Sequence, residues 1–126
     1  MDVTEGALMA GIEKMRPGNK TGDVSAAIQK HVESRGFYLT REYTGHGVGR
    51  KMHEAPQVPN YGTAGHGLLL RPGVTIALEP MVLVGTAQTK VLADQWTVIS
   101  ADRSLTAHHE HTIAVTEGKP LILTVL

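Results

Sequence analysis

The chain has no cysteine, which excludes disulfides, thiolate metal sites and cysteine nucleophiles together. Any metal or proton chemistry must rest on His, Asp and Glu. Aromatic residues are scarce, with one Phe and one Trp against seven His, a balance that draws attention to metal or proton chemistry. Charge of one sign is also missing. Twelve basic residues balance twelve acidic ones, so no global field favours nucleic acid, an acidic membrane surface or a polyanionic substrate. No stretch approaches the eighteen or so apolar residues that a membrane span requires, and the first twenty residues lack the apolar core of a signal peptide. A cytoplasmic protein without membrane or nucleic-acid partners is the expectation. The sequon Asn19-Lys20-Thr21 is then a chance match. With 126 residues, 41% of them hydrophobic, residues 1–126 are expected to form one domain.

What is present begins with helical periodicity. Leu8, Ile12 and Met15 predict a first helix over residues 4–15, stopped by Pro17-Gly18. Thr21 is the expected cap of a second helix carrying Asp23 in its first turn and Val24, Ala27, Ile28 and Val32 along one stripe, with Gly36 ending it. From Phe37 the period becomes strand-like. Strand signals follow at about 74–84, broken by Pro80, at 96–100, at 107–116 and at 121–125. Residues 56–67, rich in Pro and Gly, predict a loop. Helices followed by strands indicate an α+β layer architecture, two N-terminal helices packed on an antiparallel sheet.

Alternation along Val74–Glu79 places Val74, Ile76 and Leu78 on one face and Thr75, Ala77 and Glu79 on the other. The same split recurs at Glu110, which shares its face with Thr112 and Ala114. A core strand that carries an acid among small residues leaves room for an ion and its substrate, and a buried carboxylate without a partner would be unfavourable. His46, glycine-flanked in Gly45-His46-Gly47-Val48-Gly49, lies upstream. Oxygen and imidazole ligands without sulfur favour Mn, Fe, Co or Zn. The bland alternative makes Glu79 and Glu110 water-facing edge acids and His46 a turn histidine. The glycine spacing does not fit a nucleotide loop, and no helix pattern follows it. His53 could donate a hydrogen bond to a substrate carbonyl or pair with Glu54 at the surface. His108, His109 and His111 surround Glu110 as a ligand shell, a second layer of contacts or a titrating cluster, and only His108 shares its face. Trp96 opens a strand signal and is read as core or pocket wall.

Together, Gly45-His46-Gly47-Val48-Gly49-Arg50-Lys51-Met52-His53-Glu54-Ala55-Pro56-Gln57-Val58-Pro59-Asn60-Tyr61-Gly62 closely resembles the signature of methionine aminopeptidases of the first type. Arg71-Pro72-Gly73 through Glu79-Pro80-Met81-Val82, Asp94–Val98 and Leu105–Val115 follow in the family's order, so the resemblance covers nearly the whole chain. It implies half of a pita-bread fold and removal of methionine from the N-terminus of methionyl peptides at a centre of divalent metal ions. It also implies residue roles. His46 and Glu79 would bind one metal, Glu110 would bridge two, Glu79 could also handle the proton, and His53 would contact the scissile carbonyl. Trp96 would stand near the methionine side-chain pocket.

The family's centre also draws two aspartates and a histidine from a preceding half, and neither Asp2 nor Asp23 sits in the corresponding motifs. The chain is therefore expected to act as a C-terminal half standing alone, with weakened metal binding, paired as a homodimer or with a complementary half-domain. A non-catalytic, self-associating metal-binding half is the alternative. Two further departures are Ala55 where an acid is usual and His108-His109 where an aromatic residue usually precedes the bridging glutamate.

Overall fold

The computed structural model describes residues 1–125. Its elements run α1 (Asp2–Ile12), α2 (Thr21–Glu33), β1 (Tyr38–Leu39), β2 (Thr44–Gly47), β3 (Glu54–Pro59), β4 (Thr75–Leu78), β5 (Met81–Leu83), β6 (Thr89–Val91), β7 (Val98–Ser100), β8 (Thr106–His108), β9 (His111–Ala114) and β10 (Leu121–Ile122). The α+β expectation holds. Every paired strand is antiparallel.

Helix α1 buries Ala7, Leu8, Gly11 and Ile12, one stripe at helical spacing. Gly11 lets the helices approach closely, since a Cβ there would lie 2.8 Å from Ile28 Cγ1. Helix α2 is capped one residue earlier than expected. Lys20 occupies the cap position, and its backbone N–H donates to Asp23 Oδ2 at 2.7 Å. Thr21 is the first helical residue, and its hydroxyl instead accepts from the Leu68 N–H. Val24, Ile28 and Val32 point inward and join Leu8, Met15, Leu39, Val58, Leu70, Ile76, Leu78 and Ile113 in one core. Each such side chain contributes about 1.5–3 kcal/mol on burial.

Five strands form a sheet in the order β10-β9-β4-β2-β3, and three form a second in the order β1-β5-β8. The two sheets share their strands' course. Strand β4 runs into β5 and β8 runs into β9, each across a two-residue gap. Pro80 explains the first gap, because it has no N–H for the ladder. Three expectations need correction. The segment read as loop from residue 56 begins inside β3, because Pro56 and Pro59 occupy a sheet edge where a missing N–H is tolerated. Strand β6 carries no signal of its own and exists through pairing with β7. Trp96 does not open a strand or enter the core: β7 starts at Val98, and Trp96 is 87% exposed.

Candidate metal centre

The gap between β4 and β5 holds Glu79-Pro80, and the gap between β8 and β9 holds His109-Glu110. On one side Leu78 is paired with His111, and on the other Met81 is paired with His108. The register is thus unchanged across the gap, which sets Glu79 opposite Glu110. The same register sets Ala77 opposite Thr112, and His46 is opposite Ala77 on the other neighbouring strand. His46, Ala77 and Thr112 lie in one row, one pleat step from the carboxylates and away from the helix-covered face bearing Ile76 and Ile113. Both acids sit beside strands and not within them, but on the face that alternation assigns them. The Asn60 side chain donates to the Glu79 backbone carbonyl at 3.1 Å, holding the gap in place. That buried asparagine reads in sequence as an ordinary turn residue, and nothing local marks its role.

Two imidazoles close on Glu79. His46 Nε2 lies 3.3 Å from Oε1, and His108 Nε2 lies 3.6 Å from Oε2. The Glu79 and His46 side chains are each 13% exposed, whereas His108 is 44% exposed. His46 Nδ1 is 3.0 Å from the Gly47 carbonyl, and a proton on Nδ1 would be donated there. With Nδ1 so engaged, Nε2 is the ring nitrogen that faces the Glu79 carboxylate. The His108 imidazole is held above its ordinary range, mainly by contact with the Glu79 carboxylate. Partial burial opposes that shift, and the charges of Glu79 and Glu110 add to it.

One ligand atom each from Glu79, His108 and Glu110 falls within 4.8 Å of the others. Two like charges directly opposed on a sheet are destabilising, and here imidazole nitrogens converge on them. This donor set fits a divalent ion of the Mn to Zn series. His53 is exposed in the turn after His46, with its ring centroid 4.2 Å from that of His46 and tilted by 43°. It is not committed to Glu54, whose carboxylate instead accepts from the Lys51 N–H at 2.8 Å. His111 is drawn away, with Nδ1 2.8 Å from Thr124 Oγ1. Trp96 lies on the β6–β7 turn, where its backbone N–H and that of Thr97 donate to Asp94 Oδ1. The structure therefore brings together His46, His53, Glu79 and Glu110 with His108, the histidine that alternation sets on the face of Glu110.

Residues 1–117 match the model of metallopeptidase family M24. The chain belongs to this family. As an M24 chain it is 50% identical over 123 residues to methionine aminopeptidase A of Synechocystis sp., covering 98% of this chain and 49% of that protein. Methionine aminopeptidase 1 of Bacillus subtilis is 48% identical over 124 residues, again 98% of this chain and 50% of the relative. The chain thus spans about half the length of the curated relatives it matches. The crystal structure of methionine aminopeptidase from Thermotoga maritima superposes with a TM-score of 0.95 at 51% identity, over 98% of this chain and 49% of that one. A prolidase from Pyrococcus horikoshii, at 22% identity and TM-score 0.73, shares the fold, over 98% of this chain and 30% of that one. The two helices and antiparallel sheets are those of the pita-bread architecture of M24 enzymes. No helix among the described residues is long and apolar enough to cross a membrane.

Proposed function

We propose that residues 1–126 form one domain of a metal-dependent aminopeptidase that removes the N-terminal methionine of peptides in the cytoplasm. The observation that carries this reading is the opposed pair Glu79 and Glu110 flanked by His46, in a chain about half identical to methionine aminopeptidases. His46, Glu79 and Glu110 would hold the divalent ion or ions, of Mn, Co, Fe or Zn. A bound divalent ion lowers the pKa of water and polarises a peptide carbonyl. Glu79, whose two oxygens face two imidazoles, would take a proton from the attacking water and deliver it toward the leaving amine. His53, exposed beside His46, would donate to the scissile carbonyl as negative charge develops on it. Trp96 would offer its indole face to the methionine side chain.

Full turnover would call for further ligands from a complementary half-domain or a second copy of this chain. One observation supports such pairing. Among the described residues strand β8 is an edge of its sheet, beside an apolar hollow of about 330 Å³ lined by Val3, Phe37, Val84 and Leu105. The experiment is hydrolysis of a Met-Ala peptide by the chain with Mn²⁺ or Co²⁺, beside Glu110→Ala. Metal-dependent release of methionine that the variant abolishes supports the enzyme. Binding of the ion without turnover supports the second reading, a non-catalytic metal-binding half, and light scattering at micromolar concentration then reports whether it is a dimer.

A further inference from the structure

The resemblance assigns metal binding to His46, Glu79 and Glu110, and gives no such role to position 108. Three observations bear on that position. His108 closes β8 opposite Met81, at the lip of the gap that holds both carboxylates. Its Nε2 is 3.6 Å from Glu79 Oε2, on the other side of the carboxylate from His46. Its ligand atom also falls within 4.8 Å of those of Glu79 and Glu110. The His108 side chain is 44% exposed and can be reached from solvent.

We propose that His108 is a nitrogen ligand which, with Glu79 and Glu110, completes a three-residue cation site contained in this chain. The inference rests on the metal-centre reading above and deepens it. Its chemical consequence is selectivity. Carboxylates alone suit Mg²⁺ and Ca²⁺ as well as transition ions, whereas an imidazole ligand shifts preference toward Co²⁺, Ni²⁺ and Zn²⁺. A nitrogen supplied here adds a third donor to the two carboxylates. Because His46 contacts the opposite oxygen of Glu79, its removal weakens the centre but takes no donor from the three-residue site.

The test is binding and not turnover. Co²⁺ is titrated calorimetrically into the chain and into His108→Gln, His46→Ala and Glu110→Ala, with Mg²⁺ as competitor and circular dichroism as the check on folding. The visible spectrum of bound Co²⁺ and the His108 ring resonances are followed alongside. Expected are Co²⁺ binding that excess Mg²⁺ does not displace, at least tenfold weaker in His108→Gln, and a Co²⁺-shifted His108 ring. In His46→Ala the Co²⁺ signal at His108 should persist. If His108→Gln folds and binds Co²⁺ as tightly as the parent while Glu110→Ala does not, the role of His108 is overturned and the metal centre stands. If the parent takes up no Co²⁺, the metal-centre reading fails and this one with it. Should His108→Gln not fold, the parent loaded with diamagnetic Zn²⁺ decides: direct ligation moves the ring nitrogen resonance of His108 strongly, and an unmoved ring nitrogen overturns the proposal.

Discussion

Glu79 and Glu110 face each other across a gap in one antiparallel pairing whose register is the same on both sides. An arrangement of two opposed carboxylates is retained at a sheet's bend only with something positive between them. The imidazole nitrogens of His46 and His108 stand 3.3 and 3.6 Å from the two oxygens of Glu79.

Replacing Glu110 by Gln is therefore expected to separate stability from binding. In ion-free buffer the variant should be as stable as the parent or more stable by about 0.2–1 kcal/mol, the range for relieving a like-charge pair. With Co²⁺ at a hundredfold excess over the parent's Kd, the parent should gain about 2.7 kcal/mol and the variant much less. Urea unfolding with and without Co²⁺ reads both terms. A variant clearly less stable in ion-free buffer would show that the opposed pair is not repulsive.

Gly45 positions His46 by its lack of a side chain. A Cβ at this residue would stand 2.5 Å from the Ala77 carbonyl oxygen and 3.1 Å from that of Val58, backbone atoms of the strands on either side. Those atoms cannot swing aside. Gly45→Ala should cost about 1–3 kcal/mol, the range for overpacking, and weaken Co²⁺ binding by displacing His46 from Glu79. A thermal melt and a Co²⁺ titration of the same sample check this, and unchanged values in both would refute the tight approach.

Much of this site is legible in the residues. Alternation puts Glu79 with Thr75 and Ala77, and Glu110 with Thr112, on the face that the register confirms. Glycines around His46 signal a backbone pressed close to its neighbours. What alternation cannot show is that both strands break at the acids, since the break depends on Pro80 meeting His109 across the pair. Nor can local pattern find β6, which exists only against β7, or Asn60, whose partner is nineteen residues away. Trp96 misleads because a tryptophan beside Thr97 and Val98 is ordinarily a strand residue. Here Asp94 captures the backbone N–H groups of Trp96 and Thr97 and makes a turn instead.

Asp23 makes one pH-dependent contribution to stability. Its carboxylate accepts from the Lys20 N–H at 2.7 Å and the Gly65 N–H at 2.8 Å, tying the start of α2 to the distant loop. Those two bonds, the Lys20 one foremost, hold its pKa below the ordinary 3.8. A group whose folded pKa is depressed stabilises above its unfolded pKa, and that contribution is lost as pH falls through the folded value. Asp23→Asn should be less stable by about 1 kcal/mol near neutrality. The difference from the parent should shrink as pH drops below about 4. Melting temperatures of the two proteins across this range test the sign, and a gap that widens on acidification would contradict it.

Trp96 is the only tryptophan and is 87% exposed, so intrinsic fluorescence reports on one site. Emission from the free chain should be that of a water-exposed indole, because nothing covers the ring. Trp96→Ala should change stability by no more than about 0.5 kcal/mol, as for exposed positions free of special contacts. If the indole receives a methionine side chain, a methionyl peptide should shift the emission to shorter wavelength, and an alanyl peptide should do so less. The variant should then bind the methionyl peptide more weakly while keeping its affinity for Co²⁺. An emission spectrum indifferent to both peptides, with unaltered peptide affinity in the variant, would remove Trp96 from the substrate pocket and leave it a surface residue of the β6–β7 turn.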